Sequence, residues 1–110
     1  MQINDDKING ILVLQVMGRI DVSNAKSLKV KIQDLINHGE INFLITMDRV
    51  DYIDSSGLGI LVACLKAANA AGGTVKIAGL KEYHKQVFQT MRLDRVFQLY
   101  DESTQALHSF

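Results

Sequence analysis

The 110-residue chain is 47% hydrophobic and 22% charged, with twelve Lys and Arg balanced by twelve Asp and Glu. Its apolar content rules out a disordered chain and suits a single core, while zero formal net charge speaks against a nucleic-acid binder or a polybasic membrane anchor. A chain without net charge is not held apart from its own copies, so a weak homodimer stays open.

The first residues, Met1 to Lys7, carry no basic stretch followed by an apolar one, so no secretory leader is read. Asn9-Gly10 is a two-residue hairpin signal, joining a first strand near Met1–Lys7 to a second at Ile11–Met17. Gly18 is expected to break that strand. Val22 to His38 then reads as a helix, with Ala25, Leu28, Ile32, Leu35 and Ile36 on one face, Asp21 or Ser23 as its cap, and Gly39 after its end.

Ile41 to Met47 suits a strand buried on both faces, and Asp48 to Ile53 is read as a passage to the next helix. That helix, Ser55 to Ala71, carries Leu58, Leu61, Val62, Leu65 and Ala68 toward the core and stops at Gly72-Gly73. Its apolar run Ile60 to Leu65 is the longest in the chain and too short to span a bilayer. No membrane insertion is therefore expected, and the chain reads as cytoplasmic. Cys64 within that run has no cysteine partner for a disulfide or a metal, and reads as a small buried hydrophobe.

Thr74 to Ala78 is a short strand. Lys81 to Met91 fits a helix with Val87, Phe88 and Met91 inward, Val96 to Leu99 a last strand, and Ser103 to Phe110 a terminal helix. No repeat, linker or proline interrupts the chain. The reading is one α/β domain over residues 1–110, a mixed and largely parallel sheet of about five strands with about four helices.

The segment richest in chemistry is Asp54-Ser55-Ser56-Gly57-Leu58-Gly59, at the start of the second helix. On physical grounds alone it is a helix cap, with glycines that allow a tight turn and close packing. Yet a helix N-terminus has unpaired N–H groups and partial positive charge, so a seryl phosphate is also tolerated there. No catalytic centre is read. The glycines of a nucleophile elbow are missing around Ser55 and Ser56, no Gly-Lys-Ser/Thr phosphate loop follows, and Gly57-Leu58-Gly59 lacks the third glycine of a dinucleotide site. His38, His84 and His108 read as surface or helix-end residues. Asp48, Asp51 and Asp54 recur every third residue without the pattern of a calcium loop, and read as solvated acids. No metal or cofactor is called for. At the other strand-to-helix turn, Asp21 would cap its helix or share one surface with Ser55.

The chain resembles a stand-alone STAS domain of the anti-sigma-factor-antagonist type. The likeness is carried by Gly18-Arg19-Ile20-Asp21, by Asp48 to Gly59 and by Gly72-Gly73. It implies a bacterial partner-switching regulator rather than an enzyme. The unphosphorylated form would bind an anti-sigma factor that is also a serine kinase, releasing the sigma factor, and a serine phosphatase would restore that form. The phosphorylated residue would be Ser55, with Ser56 as second choice. Asp54 would shape the loop, Asp21 would lie at the partner-binding surface with Asp54, Ser55, Ser56, Gly57, Leu58 and Gly59, and Gly57 and Gly59 would keep side chains out of the kinase's approach. Arg19 stands where many relatives carry an acid, which bears on partner choice. The alternative within the family is a scaffold or regulatory subunit of a stress-signalling complex or a membrane transporter. A nucleotide-hydrolysing enzyme would need a phosphate loop and a base that the residues do not supply.

Overall fold

The apolar runs at 11–17 and 41–47 become inner strands of a five-stranded sheet in the computed structural model, which describes residues Met1 to Phe110. The strands are β1 (Gln2–Ile8), β2 (Ile11–Ile20), β3 (Asn42–Ile53), β4 (Thr74–Ala78) and β5 (Leu99–Tyr100), lying side by side in chain order. β1 and β2 form an antiparallel hairpin in which Ile8 faces Ile11 across the Asn9-Gly10 turn, and the other pairs are parallel. Each parallel step is bridged by a helix: α1 (Ala25–Asn37), α2 (Ser55–Ala70) and α3 (Glu82–Thr90). A fourth, α4 (Ser103–His108), follows β5. The mixed, largely parallel sheet with four helices is the architecture expected from the alternation of strands and helices.

Alternation along the strands divides the interior. Leu12, Leu14 and Val16, with Phe43, Ile45 and Met47, meet Leu28 and Ile32 of α1, Leu61 and Leu65 of α2, and Phe88 of α3 in the main core. The intervening Leu44 and Ala78 turn to the opposite face, against Ile11 and Ala106 of α4. Full burial of such a side chain stabilises the fold by roughly 1.5–3 kcal/mol. Cys64 is fully buried, as expected.

Several boundaries differ from the sequence reading. β2 does not stop at Gly18 but continues to Ile20; Gly18 takes φ +88°, a value open to glycine, at the point where the register against β3 shifts. Asp48–Ile53 is strand, not passage. Its register against β2 slips twice: Gln15 faces Thr46 but Met17 faces Arg49, and Gly18 faces Val50 but Arg19 faces Tyr52. Each slip puts one extra residue into β3, as a bulge does. Inward positions then recur every third residue, with Met47 and Val50 buried, Ile53 half-buried and the acids between them turned outward.

α1 begins at Ala25 rather than Val22, and its N-cap residue is Asn24 rather than Asp21 or Ser23, because residues 21–24 form a turn. In α3 the inward residues are His84 and Phe88, whereas Val87 and Met91 are exposed. His84 is therefore a core residue and not a surface one. A one-turn helix (Leu93–Arg95) displaces the last strand to Leu99–Tyr100, leaving Val96 exposed and Phe97 buried. No helix is long and apolar enough to cross a membrane.

Candidate functional site

β2 and β3 run parallel, so both deliver their C-terminal turns to the same edge of the sheet. The two turns are tied together. The Asp54 amide donates to the Ile20 carbonyl at 3.2 Å. The Asp54 side chain then divides its two oxygens: Oδ1 accepts from the Gly57 amide at 2.9 Å, capping α2, and Oδ2 accepts from the Val22 amide at 3.1 Å. The cap satisfies one of the helix's unpaired donors and sets a negative charge against its positive end.

Asp21 organises the second turn. Its Oδ1 accepts from the Ser23 amide at 3.0 Å and from the Ser23 hydroxyl at 2.5 Å, while Oδ2 lies 3.5 Å from Nε of Arg19. The Ser23 hydroxyl, and after it the Ser23 amide and Arg19, hold the Asp21 carboxyl below its ordinary value. Asn24 closes the turn from the other side. Its Oδ1 accepts from the Asp21 amide at 3.0 Å and its Nδ2 donates to the Arg19 carbonyl at 2.9 Å. The Arg19 guanidinium is stacked 4.2 Å above the Tyr52 ring, so its charge is fixed at the rim of the surface.

The first turn of α2 presents Ser55 to solvent and leaves Ser56 half-buried. Gly57 and Leu58 are buried, and Gly59 is exposed. Gly57 lies against β2: a Cβ there would come within 2.8 Å of Ile53 Cγ1 and 2.9 Å of the Ile20 carbonyl, so this glycine serves close packing of helix on sheet. A Cβ on Gly59 would meet open space. The structure thus brings Asp21, Asp54, Ser55, Ser56 and Gly59 to one accessible edge and puts the side chain of Leu58 in the core.

Three features of this edge are absent from the sequence reading. Val22 is 75% exposed, the most exposed large hydrophobic residue in the chain, and stands on the amide that Asp54 holds. Tyr52 carries Arg19. The Tyr83 hydroxyl donates to the Asp51 carbonyl, and Lys81 pairs with the Asp51 carboxylate at 3.5 Å, joining α3 to the strand that leads into the serines. The pairing of Arg19 with Tyr52 has no local signature, since it depends on the strand register. No group of three or more His, Cys, Asp or Glu is placed to hold a metal ion.

Residues 2–106 match the family model of the STAS domain. The anti-sigma-B factor antagonist of Bacillus subtilis is 30% identical over 96 residues, covering 87% of this chain and 82% of that protein. The crystal structure of TM1081 from Thermotoga maritima superposes with a TM-score of 0.92 at 24% identity, covering 97% and 92% of the two chains. The Bacillus cell fate determinant SpoIIAA in its phosphorylated form superposes at 0.76 with 18% identity, covering 99% and 100%. The chain belongs to the STAS domain family, and within it to the anti-sigma-factor antagonists.

Proposed function

We propose that this protein is an anti-sigma-factor antagonist switched by phosphorylation of Ser55. Unphosphorylated, it binds an anti-sigma factor that is also a serine kinase and so frees a sigma factor. Phosphorylated, it no longer binds, until a serine phosphatase restores it. The observation that carries the reading is the free, exposed Ser55 hydroxyl on the first residue of α2, beside an Asp54 that also holds the Asp21 turn.

Physical chemistry supports discrimination without refolding. A phosphate adds about −1.5 to −2 charges at neutral pH. In the free domain the N-terminus of α2, worth roughly half a positive charge, offsets part of this. At a closed interface the same charge would be desolvated next to Asp54 and Asp21, and juxtaposed like charges there cost several kcal/mol. A loss of about 1.4 kcal/mol is already tenfold in affinity. Arg19 and the exposed Val22 would contribute to the choice of partner.

The test is incubation with candidate anti-sigma kinases and ATP, followed by mass spectrometry to locate the phosphate. Phosphate on Ser55, its loss in Ser55→Ala, and retained binding of Ser55→Ala to the kinase are the expected results. Normal phosphorylation of Ser55→Ala would move the site to Ser56. Equal affinity of the modified and unmodified forms for the kinase would end the switch reading altogether.

A further inference from the structure

The sheet face opposite α1 and α2 is covered in part by α4, and two cavities of about 460 Å³ and about 340 Å³ open on it, sharing Thr46, Asp48 and Ser103. Their combined size is that of a small-molecule site. In a chain with no net charge, this face is acidic. Asp6, Asp48, Asp101 and Glu102 line the two cavities, against Lys81 and Lys85 alone, while the carboxylate of the fifth acid, Asp5, turns to α1.

Both lysines are already engaged, Lys81 by Asp51 at 3.5 Å and Lys85 by Asp101. Asp5 is held by Lys31 at 2.9 Å. Asp6, Asp48 and Glu102 are left without a cationic partner, Asp6 in one cavity, Glu102 in the other and Asp48 where they meet. At that junction Thr46 is only 8% exposed, lines both cavities, and has a hydroxyl that bonds to no group of the chain. The hydroxyl is not sealed from solvent, so it is free to meet a group bound in the groove.

We propose that this groove binds a linear aliphatic polyamine. An inner ammonium would donate to the Asp48 carboxylate and the Thr46 hydroxyl, and the outer ammonium groups would reach Asp6 and Glu102. The methylene segments between them have apolar walls in Ile8 and Val13 on one side and Leu80 on the other. A compact divalent ion is the poorer fit. The carboxylates are strung along the groove and do not converge into a metal-binding group, whereas magnesium requires a tight octahedron of oxygens. Charge-assisted hydrogen bonds to a spaced set of carboxylates select an extended cation instead.

The full chain, labelled with 15N, is titrated with spermidine at fixed ionic strength. Saturable shifts confined to the amides around Thr46, Asp48 and Ser103 are expected, with putrescine binding more weakly. Asp48→Asn, a substitution at an exposed position, should weaken spermidine about tenfold. Thr46→Val should weaken it less, and Asp34→Asn on the exposed face of α1 should change nothing. Unsaturated shifts at every acidic residue, equal affinity in Asp48→Asn, or displacement by magnesium at matched ionic strength would each overturn the proposal. The site does not depend on the phosphorylation reading, and either can fail alone.

Discussion

The carboxylate of Asp54 holds the backbone amide of Val22, thirty-two positions earlier in the chain, at 3.1 Å, while its other oxygen caps α2 through Gly57. One side chain thus fixes two turns that local sequence would leave independent. Asp54→Ala removes the cap and the cross-link together and should cost about 1–2 kcal/mol in urea unfolding. Asp54→Asn keeps one carbonyl acceptor and should cost about half as much. Hydrogen exchange at the Val22 amide should quicken in Asp54→Ala. Unchanged protection there would show that the bond does not order the turn.

The two glycines after the serines should respond with opposite sign to the same substitution. A Cβ at Gly57 would sit 2.8 Å from Ile53 Cγ1 and 2.9 Å from both Ile20 Cγ2 and the Ile20 carbonyl, and the backbone oxygen cannot rotate away. Gly57→Ala should therefore destabilise by about 1–3 kcal/mol. Gly59 has open space around its Cβ position within a helix, so Gly59→Ala should stabilise by about 0.5–1 kcal/mol. Denaturation midpoints moving the same way in both variants would contradict this packing.

The Gly57-Leu58-Gly59 triplet shows where sequence stops being informative. Its position at a helix start follows from the preceding strand and the capping aspartate, but which glycine touches β2 depends on how α2 is rotated over the sheet. β3 is a second case. Its first half alternates as a buried strand does, whereas the two bulges turn its second half into a three-residue repeat, Met47, Val50, Ile53, that fits neither a helix nor a flat strand. The recurring Asp48 and Asp51 are the outward side of that same repeat, whereas Asp54 lies just past the strand and turns both oxygens to the backbone amides of Val22 and Gly57 rather than to solvent. In α3, nine residues give too few turns to define a stripe, and His84 takes the inward place that Val87 and Met91 would have filled by hydrophobicity. The Asp54 cap and the succession of strands and helices along the chain are legible because short-range chemistry decides both. The link from Asp54 to Val22 is not, because it forms only once two strands lie side by side.

Cys64 faces the core from the middle of α2 and has no exposed surface. Burial pushes its thiol up to about 12, against a minor opposing influence from Lys29. A thiol that stays protonated and enclosed is a poor nucleophile. Labelling by an aromatic disulfide reagent at pH 8 should proceed at the rate of global unfolding and accelerate steeply in urea. Stoichiometric labelling within seconds in native buffer would mean that α2 opens locally.

His84 is 2% exposed on the inner side of α3, and neither ring nitrogen has a hydrogen-bond partner. The Tyr83 ring lies beside it, 4.1 Å between centroids. Burial is the main cause that pulls its pKa below 6.5; Lys81 acts in the same direction and Asp51 opposes both. The unfolded chain therefore takes up a proton at a higher pH than the folded one, so stability rises with pH across the interval between the two values. The contribution of neutral His84 is intact above 6.5, declines as pH falls from there to the folded value, and declines no further below it. His84→Leu removes both unpaired nitrogens along with the titration. Urea midpoints of the wild type should drop as pH falls below 6.5, and His84→Leu should flatten that drop without lowering the midpoint at pH 7. An acid decline that persists unchanged in His84→Leu would assign it to the carboxylates instead.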